Sequence, residues 1–377
     1  MCNSSDCIDV RQKDSQLWQR YQREKTKQKM LFPAEGAKLL GVSELVLMLS
    51  SPDSLYMGNQ CVSVLKQLES FGELLSVVRN DHAVHEKVGV YQNLKINDNM
   101  AIMVNVGGLD MRYFIHHWQH MLAVSDTSNP DKPSYSIQFF DEQGNAINKV
   151  FLQDTSPNTL ARWQAMIDEQ VQEANQYVDI ESAEYQHADV TPNPWQLNSL
   201  TAENAGILHE KWLGMSNIHQ FHGILNNLQL DRASSYAQAP QDHAYQIAPN
   251  AIEPFFDLVK QHDCPLMTFV SSTGAVQIQT GKINHIKRLG DWINILDKDS
   301  TQFTLHLNDV AIKQLWVVKR PTVDGIVTNV EAFDAYGHSI INFFGQRLEG
   351  EPELASWKAV TDSLIKDFAL PKLKESA

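Results

Sequence analysis

Along the chain, the spacing of apolar positions switches from helical to alternating and back, and the whole order is run through twice. Helical spacing holds over Leu17–Tyr21, Ala37–Leu49 and Val62–Leu75. From Val77 the period changes to two, which predicts strands over Gly89–Leu94, Met100–Val106, Leu109–Phe114 and Met121–Val124. Tyr135–Phe140 and Ala146–Leu152, joined by a turn at Asp141–Gly144, read as a hairpin. A helix starting at Asn158 and ending near Glu173 closes the half. The second half gives helices at 205–229 and 252–262, then strands at 266–271, 275–280, 290–296, 303–307, 313–319, 326–333 and 339–345. A helix from Glu353 to the region of Lys366 follows. Residues 1–16 read as a disordered tail, 17–175 as a first repeat, 176–203 as a Pro/Asn/Ser/Thr linker and 204–370 as a second repeat. The expected class is α+β. Each half is a helical segment, a large antiparallel sheet and a closing helix, with the ligand cleft expected between the halves.

The duplication is visible in the residues themselves. Ala83–Gly89 matches Ala275–Gly281, Phe140–Gly144 matches Phe333–Gly337, and Leu160–Trp163 matches Leu354–Trp357, at offsets of 192, 193 and 194. Places where the halves differ carry information that a shared fold does not explain. Arg112 in Leu109–Phe114 stands opposite His306 in Phe303–Leu307. Asp110, two residues before Arg112, points to the same sheet face, so an Asp110–Arg112 structural pair competes with a role for Arg112 in a cavity. The second half also gathers Arg232, Lys319, Arg320 and Arg347, which together suggest a site for an anionic small ligand.

Composition narrows the classes. The chain has 377 residues, 43% of them hydrophobic, and a formal net charge of −14. That balance disfavours nucleic acid and anionic membrane as partners. Cys2, Cys7, Cys61 and Cys264 show no CxxC spacing, so neither a disulfide framework nor a zinc site is expected. The first eighteen residues lack an apolar segment, and the longest apolar run, Leu45–Leu49, is too short to span a bilayer. A cytoplasmic protein without membrane insertion is expected.

The stretch Met215–Leu225 holds the sharpest local chemistry. Ser216 and Asn217 are N-cap types, and Ile218, Phe221, Leu225 and Leu228 form one apolar stripe. His219 and His222 sit on its shoulder, read here as half-buried, and Gly223 leaves bare backbone beside them. Such an imidazole can be an axial ligand of a flat metal-bearing ring, or simply a hydrogen-bonded histidine.

Roughly residues 35–370 resemble the HemS/ChuS/PhuS family of bacterial cytoplasmic haem-utilisation proteins. The resemblance is carried by Trp316–Gly325, Glu331–Asp334, Phe344–Arg347, Glu351–Leu354, Arg79–Glu86 and Leu109–Phe114. It implies two structural repeats with one haem held between them. By the resemblance, His219 is the proximal iron ligand, His222 an alternative ligand, and Arg112 the distal residue, with Phe114 beside it. Pocket and propionate contacts fall on Arg232, Lys319 or Arg320, Phe344, Gln346 and Arg347. The chain departs from the family in having Lys319-Arg320-Pro321 for Arg-Lys-Pro, Phe343 or Phe344 for Tyr, and Gln279 for His. His85 is a further candidate for a second haem, against the plainer reading of a surface strand histidine. A neutral imidazole binds haem iron and leaves the opposite face open, while a guanidinium cannot ligate iron but donates hydrogen bonds there. The resemblance implies one of two functions. One is a haem-degrading enzyme that uses an external electron donor. The other is a carrier that takes haem from an importer to a separate haem oxygenase.

Overall fold

The computed structural model describes residues 7–9 and 13–371, except 29, 174–176, 180–192 and 349. Two compact units emerge. One comprises Met1–Arg79, His85–Thr191 and Ser271–Gln277; the other comprises Asn80–Val84, Pro192–Val270 and Ile278–Ala377.

The first repeat runs through β1 (Cys7–Asp9), α1 (Ser15–Lys27), α2 (Pro33–Leu40), α3 (Glu44–Leu49), β2 (Ser54–Tyr56), α4 (Cys61–Gln67), β3 (Glu73–Arg79) and β4 (Ala83–Val90). It continues with β5 (Lys95–Ile96), β6 (Met100–Met103), β7 (Asp110–Phe114), β8 (His120–Asp126), β9 (Ser134–Phe140), β10 (Ala146–Leu152), α5 (Pro157–Glu173) and β11 (Tyr177–Asp179). The second repeat restates this order. Its elements are α6 (Ala202–Leu213), α7 (Gln220–Leu228), α8 (Arg232–Ala237), β12 (Ala244–Ile247), α9 (Ile252–Gln261), β13 (Leu266–Ser271), β14 (Ala275–Gly281), β15 (Ile286–Leu289) and β16 (Trp292–Asp297). After these come α10 (Lys298–Thr301), β17 (Phe303–Asn308), β18 (Gln314–Thr322), β19 (Gly325–Phe333), β20 (Ser339–Gly345) and α11 (Ala355–Phe368).

Apart from the β1–β11 pair, the strands belong to two large antiparallel sheets, as the alternating patterns require. In the first repeat five strands run β3-β10-β9-β8-β2, and in the second five run β13-β20-β19-β18-β12. The order is the same, strand for strand. Each repeat also has a three-stranded run, β5-β6-β7 or β15-β16-β17.

In each repeat one sheet face carries a large core and the other a smaller, helix-covered one. In the second repeat, Val317, Val330 and Phe343 pack against Phe255 of α9 and Trp357 of α11. On the opposite face Trp316, Val318 and Phe333 meet Trp212, Phe221 and Tyr236 of α6–α8. In the first repeat, Leu122, Val124 and Phe140 meet Leu45, Met48 and Leu49 of α3 in the equivalent way.

Three expected helices are broken. Ala37–Leu49 is two helices, because Gly41 adopts φ 71° and Ser43 then caps α3 by accepting from Val46 N. The 205–229 segment likewise divides at Gly214, with a loop up to His219. Val62–Leu75 stops at Gln67, and Glu73 already begins β3. Most of the 1–16 tail and half of the 176–203 linker lie outside the described residues. Within them, Cys7–Asp9 pairs with Tyr177–Asp179. The end of the linker is fastened to α8. Trp195 Nε1 donates to Asp231 at 3.1 Å, Asn198 N to Ser234 Oγ at 2.9 Å, and Leu200 N to Gln238 at 2.7 Å.

Candidate functional site

The site is built around the start of α7. His219 is the N-cap residue of that helix, and its backbone N–H donates to Asn217 Oδ1 at 2.9 Å. Gln220 Oε1 accepts from the N–H groups of Ser216 at 2.8 Å and Asn217 at 3.2 Å. Ser216 O accepts from Val323 N at 3.0 Å, which ties the loop to the β18–β19 turn. Both histidines are exposed rather than half-buried, because the buried stripe of α7 is Phe221 and Leu225. Nothing lies within 4 Å of where a Cβ on Gly223 would stand.

The two imidazoles differ. Asn226 Nδ2 lies 3.1 Å from His222 Nε2, so that nitrogen has a protein partner. The His219 ring makes no hydrogen bond among the described residues.

Under α7 lies a buried charged network. Arg232 donates to Glu331 Oε2 at 2.7 Å and to the Tyr236 hydroxyl at 3.0 Å. Arg320 donates to the same hydroxyl at 2.7 Å, and that hydroxyl donates to Glu331 Oε2 at 2.6 Å. Burial works to raise the Glu331 carboxyl, but Arg232 beside it prevails and holds it below the usual range. Burial pushes the Tyr236 hydroxyl up to about 12. The Arg320 guanidinium lies 4.4 Å from the Phe221 ring centroid. Two arginines and one glutamate leave this cluster net positive. The Nε atoms of Arg232, Arg320 and Arg347 are buried without an acceptor among the described residues.

Strand register extends the same face. Val318 on β18 stands opposite Asn329 on β19, which stands opposite Phe344 on β20, which stands opposite Met267 on β13. Phe344 packs on Phe269 at 5.2 Å, and both are half-buried. Asn329 Nδ2 donates to Asn342 Oδ1 at 2.9 Å. Gln346 N donates to Pro265 O at 2.8 Å, and Arg347 reaches Asp324 at 3.3 Å. Thus His219, His222, Arg232, Arg320 and Phe344 belong to one face of the second unit. Lys319 does not join them. Strand alternation turns it to the opposite face, 5.4 Å from the Tyr245 ring centroid and 3.5 Å from Asp362. Sequence reasoning missed Tyr236, Glu331, Phe221, Asn329 and Asn342. The helix stripe through Phe221 and the stretch Glu331–Asp334 were the signals that touched them in advance.

Arg112 and Phe114 lie in the first unit, half-buried on β7, while Met111 and Tyr113 fill the core. The Asp110–Arg112 pair is present at 2.5 Å. Arg112 Nη1 makes that contact and also donates to Met103 O at 3.1 Å and Met111 O at 2.9 Å. Nε and Nη2 make no hydrogen bond among the described residues. His85 is buried, not a surface histidine. Burial, with the charge of Lys87 second, pulls its pKa down to about 3.

The repeat and the α7 face together pose a family question that comparison answers. Residues 43–170 and 229–364 each match the model of the haemin-degrading HemS.ChuX domain. The chain belongs to the haemin-degrading HemS/ChuX family. It is 32% identical over 359 residues to the hemin transport protein HmuS of Yersinia pestis, covering 94% of this chain and 99% of that protein. It is 31% identical to the hemin transport protein HemS of Yersinia enterocolitica, over 91% of this chain and 95% of that one. Among solved structures, the heme degrading enzyme ChuS of Escherichia coli O157:H7 aligns with a TM-score of 0.79 at 29% identity. That alignment covers 93% of this chain and 99% of ChuS. Apo-PhuS, a heme-binding protein from Pseudomonas aeruginosa, aligns with the same TM-score and identity, over 93% and 98%. A HemS-family member built of two HemS.ChuX domains is the two-half α+β fold that the repeat predicted. Among the described residues no helix is long and apolar enough to cross a membrane, and no three His, Cys, Asp or Glu side chains gather to hold a metal ion.

Proposed function

We propose that this protein binds haem through His219 and opens the porphyrin ring, releasing iron and a linear tetrapyrrole. The observation that carries this reading is the His219 ring itself. It is exposed at the start of a helix, makes no competing hydrogen bond, and has the open flank of Gly223 beside it. The rest of the face suits the same substrate. Buried arginine Nε groups without acceptors fit the carboxylates of an anionic ligand, and Phe344 with Phe269 offers apolar area to a flat ring. Arg232, Arg320, Gln346 and Arg347 are the residues assigned to that end of the ligand. Ring opening consumes an external electron donor and dioxygen or peroxide. In this reading, Arg112 supplies a hydrogen-bond donor for the substrate, with Phe114 beside it.

A second reading, haem carriage from an importer to a separate oxygenase, has an observation of its own. His219 and His222 lie one turn apart on one exposed helix edge, which suits transfer of iron from one imidazole to the other. One experiment separates the two. Protein loaded anaerobically is given reductant and then air, with catalase present or absent, while the haem absorption band and free iron are followed. Loss of the band with iron release supports degradation. A persistent band, with transfer to an added oxygenase, supports carriage.

A further inference from the structure

The network under α7 meets at a single atom, the Tyr236 hydroxyl, which accepts from Arg232 and Arg320 and donates to Glu331. Arg232 also has its own carboxylate in Glu331, but Arg320 has none in ion-pair reach among the described residues. Its one hydrogen bond is to Tyr236, so that hydroxyl fixes where its guanidinium lies. The guanidinium in turn lies against Phe221 at 4.4 Å, and Phe221 stacks on Tyr236 at 6.0 Å with an interplanar angle of 19°. Trp212 closes the edge of Phe221 at 4.9 Å. Phe221 is the first buried residue of α7 and stands two positions after His219. The seat of Phe221 therefore sets the height and rotation of the turn bearing His219.

We propose that Tyr236 is a positioning residue for His219: its hydroxyl pins Arg320 against Phe221 and thereby fixes the His219 imidazole for iron ligation. The role rests on the reading of His219 as the haem ligand. Without the hydroxyl, Arg320 is a buried cation with no acceptor, and it moves off Phe221 to find one. A ligand whose supporting shell is loosened by even an ångström loses much of its effect.

The test uses the full chain with His222→Ala, so that His219 is the only imidazole of that pair. Tyr236→Phe then removes one oxygen and keeps the ring that packs on Phe221, Trp316 and Phe333. The readouts are the absorption and electron-spin spectra of bound ferric haem, the rate of haem loss to excess haem-free globin, and the thermal midpoint. We expect an altered ligation spectrum and roughly tenfold faster haem loss, the scale of losing one charged hydrogen bond. Glu331→Gln, which keeps shape and removes the neutralising charge, shifts both readouts the same way and serves where Tyr236→Phe folds poorly. A Tyr236→Phe protein with unchanged spectrum and loss rate overturns the proposal, even if its thermal midpoint falls, because the hydroxyl is then only structural. If His219→Ala leaves the haem spectrum unaltered, the ligand reading itself fails and takes the positioning role with it.

Discussion

Gly36 and Gly223 hold the same place, the fourth residue of the second helix of each repeat, and are used in opposite ways. A Cβ on Gly36 would run into the Tyr21 ring, whereas nothing stands near one on Gly223. The neighbouring positions follow suit. The N-cap residue is Phe32 in α2 and His219 in α7. Three residues on, Glu35 is paired with Arg79, while His222 is exposed. The first residue of the third helix is Glu44, held by Lys149, in one repeat and Arg232, held by Glu331, in the other. One copy has spent these positions on packing and internal ion pairs; the other has left them open and cationic. Duplication conserved the frame, and at these positions the second copy carries histidine and arginine where the first carries phenylalanine and glutamate.

The largest effect should come from the inverted ion pairs. Glu331→Ala strands half-exposed Arg232 and takes a neutralising charge from buried Arg320, and should cost about 3–5 kcal/mol in urea unfolding, with Glu44→Ala toward the lower end because it strands only Lys149. Equal costs would mean that the second arginine is neutralised in some other way. Next, His219→Phe gives the second copy the N-cap of the first. It should weaken ferric haem binding on the order of 100-fold, about 2.7 kcal/mol, with His222 partly substituting. An unchanged spectrum in the double variant lacking both histidines would remove α7 as the ligand source. Arg347→Ala and Arg320→Ala should each lower haem affinity by about 1–3 kcal/mol, and effects near zero would make them ordinary buried or surface charges. Arg112→Ala should slow haem loss on reduction roughly tenfold while haem still binds, and no change in rate or spectrum would leave Arg112 with only its Asp110 pair.

The copies also differ in their response to pH. His120 is pulled down to about 4 and His85 to about 3, each chiefly by burial, while their counterparts in the second repeat are Gln314 and Gln277. A histidine lowered in the folded state is neutral there while the unfolded chain takes up a proton below 6.5. Stability is therefore full above that pH and falls as pH drops toward 4, by about 1.4 kcal/mol per unit for each group. Unfolding followed from pH 7 to 4 should show this slope in the native protein and a smaller one in His120→Gln.

How much of this was legible in the sequence depended on whether one strand or two carried the signal. The repeat, the strands and the helix stripe through Phe221 follow from local period. The choice between Lys319 and Arg320 does not, because alternation says only that they face apart, not which face lies beneath α6–α8. Glu331 and Asn342 are set opposite each other by the register of β19 and β20, and Tyr236 reaches Glu331 from α8, relations that no single segment contains. His85 misled because β4 buries Ala83, His85, Lys87 and Gly89 together, so its buried face carries two ionisable side chains and no large apolar one. The break between α6 and α7 was legible only in part: Ser216 and Asn217 read as N-cap types, but the apolar stripe continues after Gly214 and the 205–229 span ran across it.

The side chain of Gln220 reaches back to the N–H groups of Ser216 and Asn217, closing the loop before α7 into a ring of hydrogen bonds. The conformational freedom of that turn is thus surrendered when the chain folds, not when a ligand arrives. A guest that docks there meets a turn already frozen, and its residence time should owe little to ordering and much to the contacts it makes.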